Sequence, residues 1–123
     1  MIWSSGGFIF GGFADKSWKS SAGVWCESDK AFLFSLKIQS NEVGTAKMCI
    51  NQNMCSSAMC HSFSSGPMFG GGYDFCIYSD ANNNSDSSSN LGCTYEIPPG
   101  QTDTCFVGSR KFKVSEIEVF QII

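Results

Sequence analysis

The chain has 123 residues, with 11 Phe, 13 Gly, 15% charged residues and a net charge of −3. That length suffices for one domain burying roughly two thirds of its unfolded surface. The eight basic residues are scattered, which argues against nucleic acid as a partner, and no apolar run approaches a bilayer span, which argues against direct membrane insertion.

Met1-Ile2-Trp3 and Phe8-Ile9-Phe10 flank Ser4-Ser5-Gly6-Gly7 and read as a hairpin. Gly11-Gly12 then predicts a bend before Phe13. Residues 15–21 form a polar excursion pinned by Trp18, whose ring is expected to fold back on the core. Val24-Trp25 is short and apolar, and Phe32-Leu33-Phe34-Ser35-Leu36 has the length of a central strand that exits at Lys37. Gln39-Ser40-Asn41-Glu42 reads as a loop, Lys47-Met48-Cys49-Ile50 as a strand, and Ser57-Ala58-Met59-Cys60-His61 as another short one.

The most constrained stretch is Gly66-Pro67-Met68-Phe69-Gly70-Gly71-Gly72-Tyr73-Asp74-Phe75. Gly66-Pro67 is a turn signal, and three consecutive glycines fit a place of positive φ or close backbone approach. Phe75-Cys76-Ile77-Tyr78 follows as a buried strand. Residues 79–90, with nothing apolar larger than Ala81, predict a solvated loop. Residues 92–97 resume an extended pattern, broken by Pro98-Pro99-Gly100. Phe106-Val107 and a turn at Gly108-Ser109 precede a closing strand over residues 111–122. In that strand Val114, Glu116, Glu118 and Phe120 share one face, and Ile117 and Val119 the other. No segment sustains a 3.6-residue period, so helix content should be low.

The residues that could carry chemistry are sparse. Cys55, Cys60 and His61 are candidate zinc ligands, with a spacing unlike a zinc knuckle, and a buried strand cysteine is the simpler reading. Asp80, Asn82, Asn84 and Asp86 alternate as in a calcium loop, but Ser85 stands where the bend glycine belongs and Leu91 where the bidentate glutamate belongs. Neither metal nor other cofactor is expected. A hydrolase would need His61, a serine and Asp74 or Glu116, and no nucleophile elbow accompanies them. The glycines precede a strand rather than a helix, which disfavours a phosphate cradle.

The seven cysteines are an odd number, and the first residues lack a secretory signal, so the thiols are expected to be reduced and the location cytosolic unless a signal was trimmed. Cys26 and Cys105 lie in polar surroundings and are the candidates for exposed, redox-active thiols, although no basic residue adjoins either; Cys76, within a strand, is expected to be inert.

Five blocks occur in order: Phe8-Ile9-Phe10-Gly11-Gly12-Phe13, Lys16-Ser17-Trp18, Lys30-Ala31-Phe32-Leu33-Phe34-Ser35-Leu36, Gly66-Pro67-Met68-Phe69-Gly70-Gly71-Gly72-Tyr73-Asp74, and Ser115-Glu116-Ile117-Glu118-Val119-Phe120. Together they resemble the TLDc domain, related to the oxidation-resistance proteins, and in particular its ciliate and amoebozoan branch. The motif positions are Gly11, Gly12, Trp18, Gly66, Pro67, Gly70, Gly71, Gly72, Asp74, Glu116 and Glu118. The resemblance covers nearly the whole chain and implies a single domain over residues 1–123, mainly β, a two-layer antiparallel β-sandwich with little helix. It also implies that the family's N-terminal segment is lacking.

The function implied is a non-catalytic interaction module. It would dock onto a protein partner or multi-subunit complex such as the vacuolar proton-pumping ATPase, in the cytoplasm or on the cytosolic face of an organelle. The alternative is an oxidative-stress protection protein with weak thiol or hydrolase-like activity.

Overall fold

The computed structural model describes residues 1–37 and 45–123. The expected loop over residues 39–42 lies outside the described residues. Ile2–Ser4 (β1) and Ile9–Phe13 (β2) form the antiparallel hairpin, with Ile2 opposite Phe10 and Trp3 opposite Ile9. Gly7 sits at φ +84°, a left-handed conformation that glycine adopts without a Cβ clash, and its N–H donates to the Ser4 carbonyl at 3.0 Å. The chain continues through β3 (Ala22–Cys26), β4 (Phe32–Lys37), β5 (Ala46–Cys49) and a 3₁₀ helix (Gln52–Ser57). Then come β6 (Met59–Ser62), β7 (Ser65–Phe69), β8 (Phe75–Tyr78), β9 (Ser87–Ser89), β10 (Lys111–Phe112) and β11 (Val114–Ile117).

Among the described residues these strands make two antiparallel sheets. Sheet A has the order β11-β1-β2-β4-β5 and sheet B the order β10-β9-β8-β7-β6-β3. The sheets pack face to face as a β-sandwich around a phenylalanine cluster. Phe10 of β2 stacks on Phe106 (centroids 4.5 Å apart) and meets Phe75 of β8 and Phe112 of β10 edge-on, at 5.6 and 5.3 Å. Offset-stacked and edge-on contacts are the geometries the ring quadrupole favours, so the cluster gains somewhat more than its buried area alone supplies.

Several expectations need correction. Gly11 and Gly12 do not bend the chain; both continue β2 and serve opposite faces. A Cβ on Gly12 would lie 2.6 Å from Phe69 Cζ of the facing sheet, and one on Gly11 would lie 2.8 Å from Phe34 Cζ on the outer face. Gly66-Pro67 is not a turn but part of β7. Its register with β8 shifts between Ser65 and Met68, and such an irregularity is where an interior strand tolerates proline's missing N–H.

Residues 79–90 are not wholly solvated. Ser87–Ser89 is a strand, Ser87 and Ser89 are fully buried, and the Ser87 hydroxyl accepts the Tyr78 N–H at 3.1 Å. A serine is small enough to fill the rim of a sandwich without a large apolar group. Residues 92–97 form no strand; only Tyr95 bridges, to Ile50.

The closing strand is split. β10 belongs to sheet B and β11 to sheet A, so the chain changes layer at Lys113. Ser115 is an extra residue opposite β1, skipped between the pairs Trp3–Glu116 and Ser4–Val114, and its hydroxyl donates to the Trp3 carbonyl at 3.0 Å. The bulge breaks the alternation. Val114 is buried, Glu116 is not, and Val119 and Phe120 lie beyond the strand, exposed.

Gly12→Ala should destabilise the chain by roughly 1–3 kcal/mol, the range for overpacking a filled core. In a Phe69→Leu background the added methyl should cost less. Urea unfolding of the four variants measures the coupling; equal costs in both backgrounds would refute the contact.

Candidate functional site

The glycine run joins β7 to β8 and is shaped by one carboxylate. Asp74 is completely buried, and both of its oxygens accept from backbone: Thr94 N–H reaches Oδ1 and Oδ2 at 3.1 Å each, and Tyr95 N–H reaches Oδ2 at 3.0 Å. Gly70, at φ +87°, is required twice over, because its positive φ suits glycine and a Cβ there would overlap Asp74 Oδ1. Tyr73, at φ +56°, closes the turn by donating its N–H to the Gly70 carbonyl at 3.0 Å. Gly71 N–H donates to Thr94 Oγ1 at 2.9 Å, and a Cβ on Gly72 would lie 2.7 Å from Cys93 Cβ. The glycine backbone therefore lies directly against the side chains of Cys93 and Thr94.

Tyr95 completes the assembly. Its ring is buried edge-on to Phe69 at 6.1 Å, and its hydroxyl donates to the Ala58 carbonyl at 2.6 Å, an oxygen that also accepts the Gly70 N–H at 3.1 Å. Phe69 in turn meets Trp18 edge-on at 5.3 Å and covers Gly12. The motif residues Gly12, Trp18, Gly70, Gly71, Gly72 and Asp74 thus gather around Phe69 and Tyr95, although Trp18 only rests on Phe69 and His61 and stays 40% exposed. Thr94, Tyr95 and Ala58 were missed by sequence reasoning. Tyr95, a lone aromatic before a Pro-Pro-Gly turn, was the one available signal. Gly66, Pro67 and Glu116 lie elsewhere, together in a surface groove beside β11, and Glu118 follows that strand.

Burial pushes the Asp74 carboxyl above the usual carboxylate range, and the N–H groups of Tyr95 and Thr94 pull it only part of the way back. Burial likewise pushes the Tyr95 phenol up, helped by the charge of Asp74. An acceptor fully engaged by backbone amides is a structural clasp. His61 is equally committed: it is buried, its Nδ1 accepts the Lys19 N–H at 3.2 Å, and its ring lies edge-on to Trp18. Each of the two groups gives its acceptor to a backbone N–H rather than to the other, which is not the arrangement of a base and its orienting carboxylate.

Cys60 and His61, successive on β6, point to opposite faces of the sheet. Among the described residues no three His, Cys, Asp or Glu side chains converge as metal ligands. In the 79–90 segment the polar groups are spent on local turns: Asn83 Nδ2 donates to Asp80 Oδ1 at 2.7 Å, and Asn84 Nδ2 to the Asp80 carbonyl at 3.0 Å.

Cys105 is not the exposed thiol expected from its polar neighbours. It is buried within the core cluster, and desolvation pushes its thiol up to about 11. Cys26 is half-buried, its thiol directed at the Glu27 carbonyl 3.8 Å away. Cys76 is buried and also pushed up to about 11, whereas Cys49 and Cys93 are the exposed thiols.

Asp74→Ala should destabilise the chain by roughly 2–5 kcal/mol, because two backbone N–H groups lose their acceptor. Asp74→Asn tests the charge. The folded pKa is raised above the unfolded one, so the folded state holds its proton more tightly. Stability contributed by Asp74 is therefore fully present below the ordinary carboxylate pKa and falls as pH rises through the raised value. Denaturation from about pH 3 to about pH 8 should show the wild type losing stability relative to Asp74→Asn as pH rises. A wild type that gains stability relative to Asp74→Asn as pH rises would overturn the assignment.

No helix of the described residues is long and apolar enough to cross a membrane. Comparison with curated proteins returned no match, and comparison with solved structures returned none. A family model described as the TLDc domain matches residues 1–123. With a two-sheet sandwich and the glycine clasp in place, this match over the full length shows that the chain belongs to the TLDc domain family.

Proposed function

We propose that the chain is a non-catalytic protein-interaction module that docks onto a larger assembly. The observation that carries this reading is where large apolar side chains remain outside the core. Val24 (55% exposed) and Trp25 (41%) stand on β3, the edge strand of sheet B. Phe63 (69%) lies past the end of the β3–β6 pair, where its N–H donates to the Ser21 carbonyl at 2.8 Å. Single apolar residues on a surface are ordinary, but several left along one edge strand, Val24 and Trp25 on its two faces, suit a partner's chain. Two of the buried polar groups, Asp74 and His61, are meanwhile committed to holding segments in place. By the family resemblance, the assembly is a multi-subunit complex such as the vacuolar proton-pumping ATPase, met in the cytoplasm or on an organelle's cytosolic face.

The second reading, a thiol-based protective activity, has one observation in its favour: the exposed side chains of Cys49 and Cys93. The two readings predict different behaviour. As an interaction module, the tagged chain elutes from native extract in a high-mass fraction, and a Trp25→Ser, Phe63→Ser double variant elutes free with its melting temperature unchanged. Elution of the wild type as a free monomer would sink this reading. Peroxide consumption by the purified chain that disappears in a Cys49→Ser, Cys93→Ser variant would favour the second.

A further inference from the structure

A groove of about 580 Å³ opens where sheet A stops at β11. One wall is β11 itself, with Glu116 and Ile117; the other is sheet B, with Gly66 and Pro67 of β7 and Ile77 of β8. Gly66 lets β7 pack closely on β8 here, since a Cβ there would come within 3.2 Å of the Ile77 carbonyl. The backbone of β11 is open toward this space. Met1 and Glu118 exchange hydrogen bonds at 2.7 and 2.8 Å, so Glu118 faces β1. Alternation along an antiparallel pair then turns the N–H and C=O of Ile117 to the other side, away from β1. The Val114 N–H is already taken by the Ala81 carbonyl at 3.1 Å, which closes one end of the open edge.

The groove combines an unpaired strand edge, apolar walls from Pro67, Ile77 and Ile117, and an acidic rim from Asp80 and Glu116. No Lys, Arg or His lines it among the described residues. We propose that it receives an extended segment of a partner protein in which apolar side chains alternate with Lys or Arg, added as a strand to β11. The backbone edge supplies the hydrogen bonds, the walls select apolar groups at every second position, and the rim selects positive charge on the positions between. A second copy of this chain fits less well. Its exposed stretch beyond β11 is apolar, but residues 116–123 carry Glu116 and Glu118 and no basic residue, so like charges would meet at the rim. This inference rests on the reading of the chain as an interaction module and specifies the chemistry of its partner.

The test uses the full chain and a fluorescently labelled peptide of about eight residues, alternating Val and Lys. Anisotropy should rise saturably, weaken with added salt, and be about tenfold weaker for the Val-Glu counterpart. An Asp80→Asn, Glu116→Lys variant, which keeps the side-chain oxygen that accepts from Asn83, should reverse that preference. Ile117→Pro, which removes the outward N–H at an edge that tolerates proline, should abolish binding while leaving the melting temperature within a few degrees. Absence of binding, binding indifferent to the charge reversal, or displacement of the peptide by self-association of the chain would each overturn the proposal. If the chain still elutes with a large assembly, only the groove inference has failed. If the peptide binds but the chain elutes alone, it is the module reading that fails.

Discussion

Burying a carboxylate completely is costly, and Asp74 offsets that cost by accepting the N–H groups of Thr94 and Tyr95. That segment crosses the end of the sandwich without strand pairing apart from the Ile50–Tyr95 bridge. Buried backbone donors need acceptors, and a β-structure supplies them through neighbouring strands. Here the neighbour is a glycine turn, and the Asp74 side chain takes the part of a strand, receiving Thr94 and Tyr95 together. The glycines follow from the carboxylate. Gly70 must yield space to Oδ1, Gly71 must present its N–H to Thr94, and Gly72 must let Cys93 approach. Tyr95, once fixed, anchors the Ala58 carbonyl ahead of β6 and backs Phe69, and through Phe69 the constraint reaches Trp18 and Gly12 of the opposite layer.

The same network explains why the site has the geometry of a clasp. A general base needs a free acceptor that can reach a substrate proton, whereas the Asp74 oxygens are satisfied from within and sealed from solvent. Its raised pKa is a consequence of burial, as is that of Cys105 and Cys76. Perturbed values often point to function, but buried groups in a packed core are perturbed too. The direction of each shift here follows from desolvation before any neighbouring charge is considered.

Much of the fold was legible in the residues. The first hairpin, the run Phe32-Leu33-Phe34 and the strand Phe75-Cys76-Ile77 carry their β character in apolar, aromatic content, and the glycine run announced close approach. The failures share a cause, which is that local composition cannot report what lies opposite. Ser87-Ser88-Ser89 reads as solvent-facing because serine is polar, yet Ser87 and Ser89 are buried under tertiary packing. Gly11-Gly12 reads as a bend because glycine is flexible, yet the missing side chains make room for Phe34 and Phe69. The alternation of residues 111–122 looked continuous, yet a change of layer at Lys113 and a bulge at Ser115 divide it. Of the candidate site, Asp74 and the glycines were visible; Thr94 and Tyr95, about twenty residues away in sequence, meet the Asp74 carboxylate through backbone amides, and no side-chain pattern encodes that contact.

A clasp that reaches both layers through Phe69 leaves the sheet edges to meet other chains. An edge strand presents unpaired N–H and C=O groups, and proteins usually blunt it with charge, proline or a bulge. β11 has two of these devices, the Ser115 bulge and the charge of Glu116, and the Val114 N–H is capped by Ala81. None of them closes Ile117. A bulge re-aims the residues beyond it, so the twist that discourages indiscriminate pairing also turns β11 over the groove formed with β7 and β8. The glutamate that deters a like-charged copy attracts a basic segment. One edge can thus refuse its own kind and accept a chosen partner, provided that the strand behind it is held rigid. β11 is so held: it pairs with β1, and β1 is hydrogen-bonded to β2, whose Phe10 lies at the centre of the aromatic core.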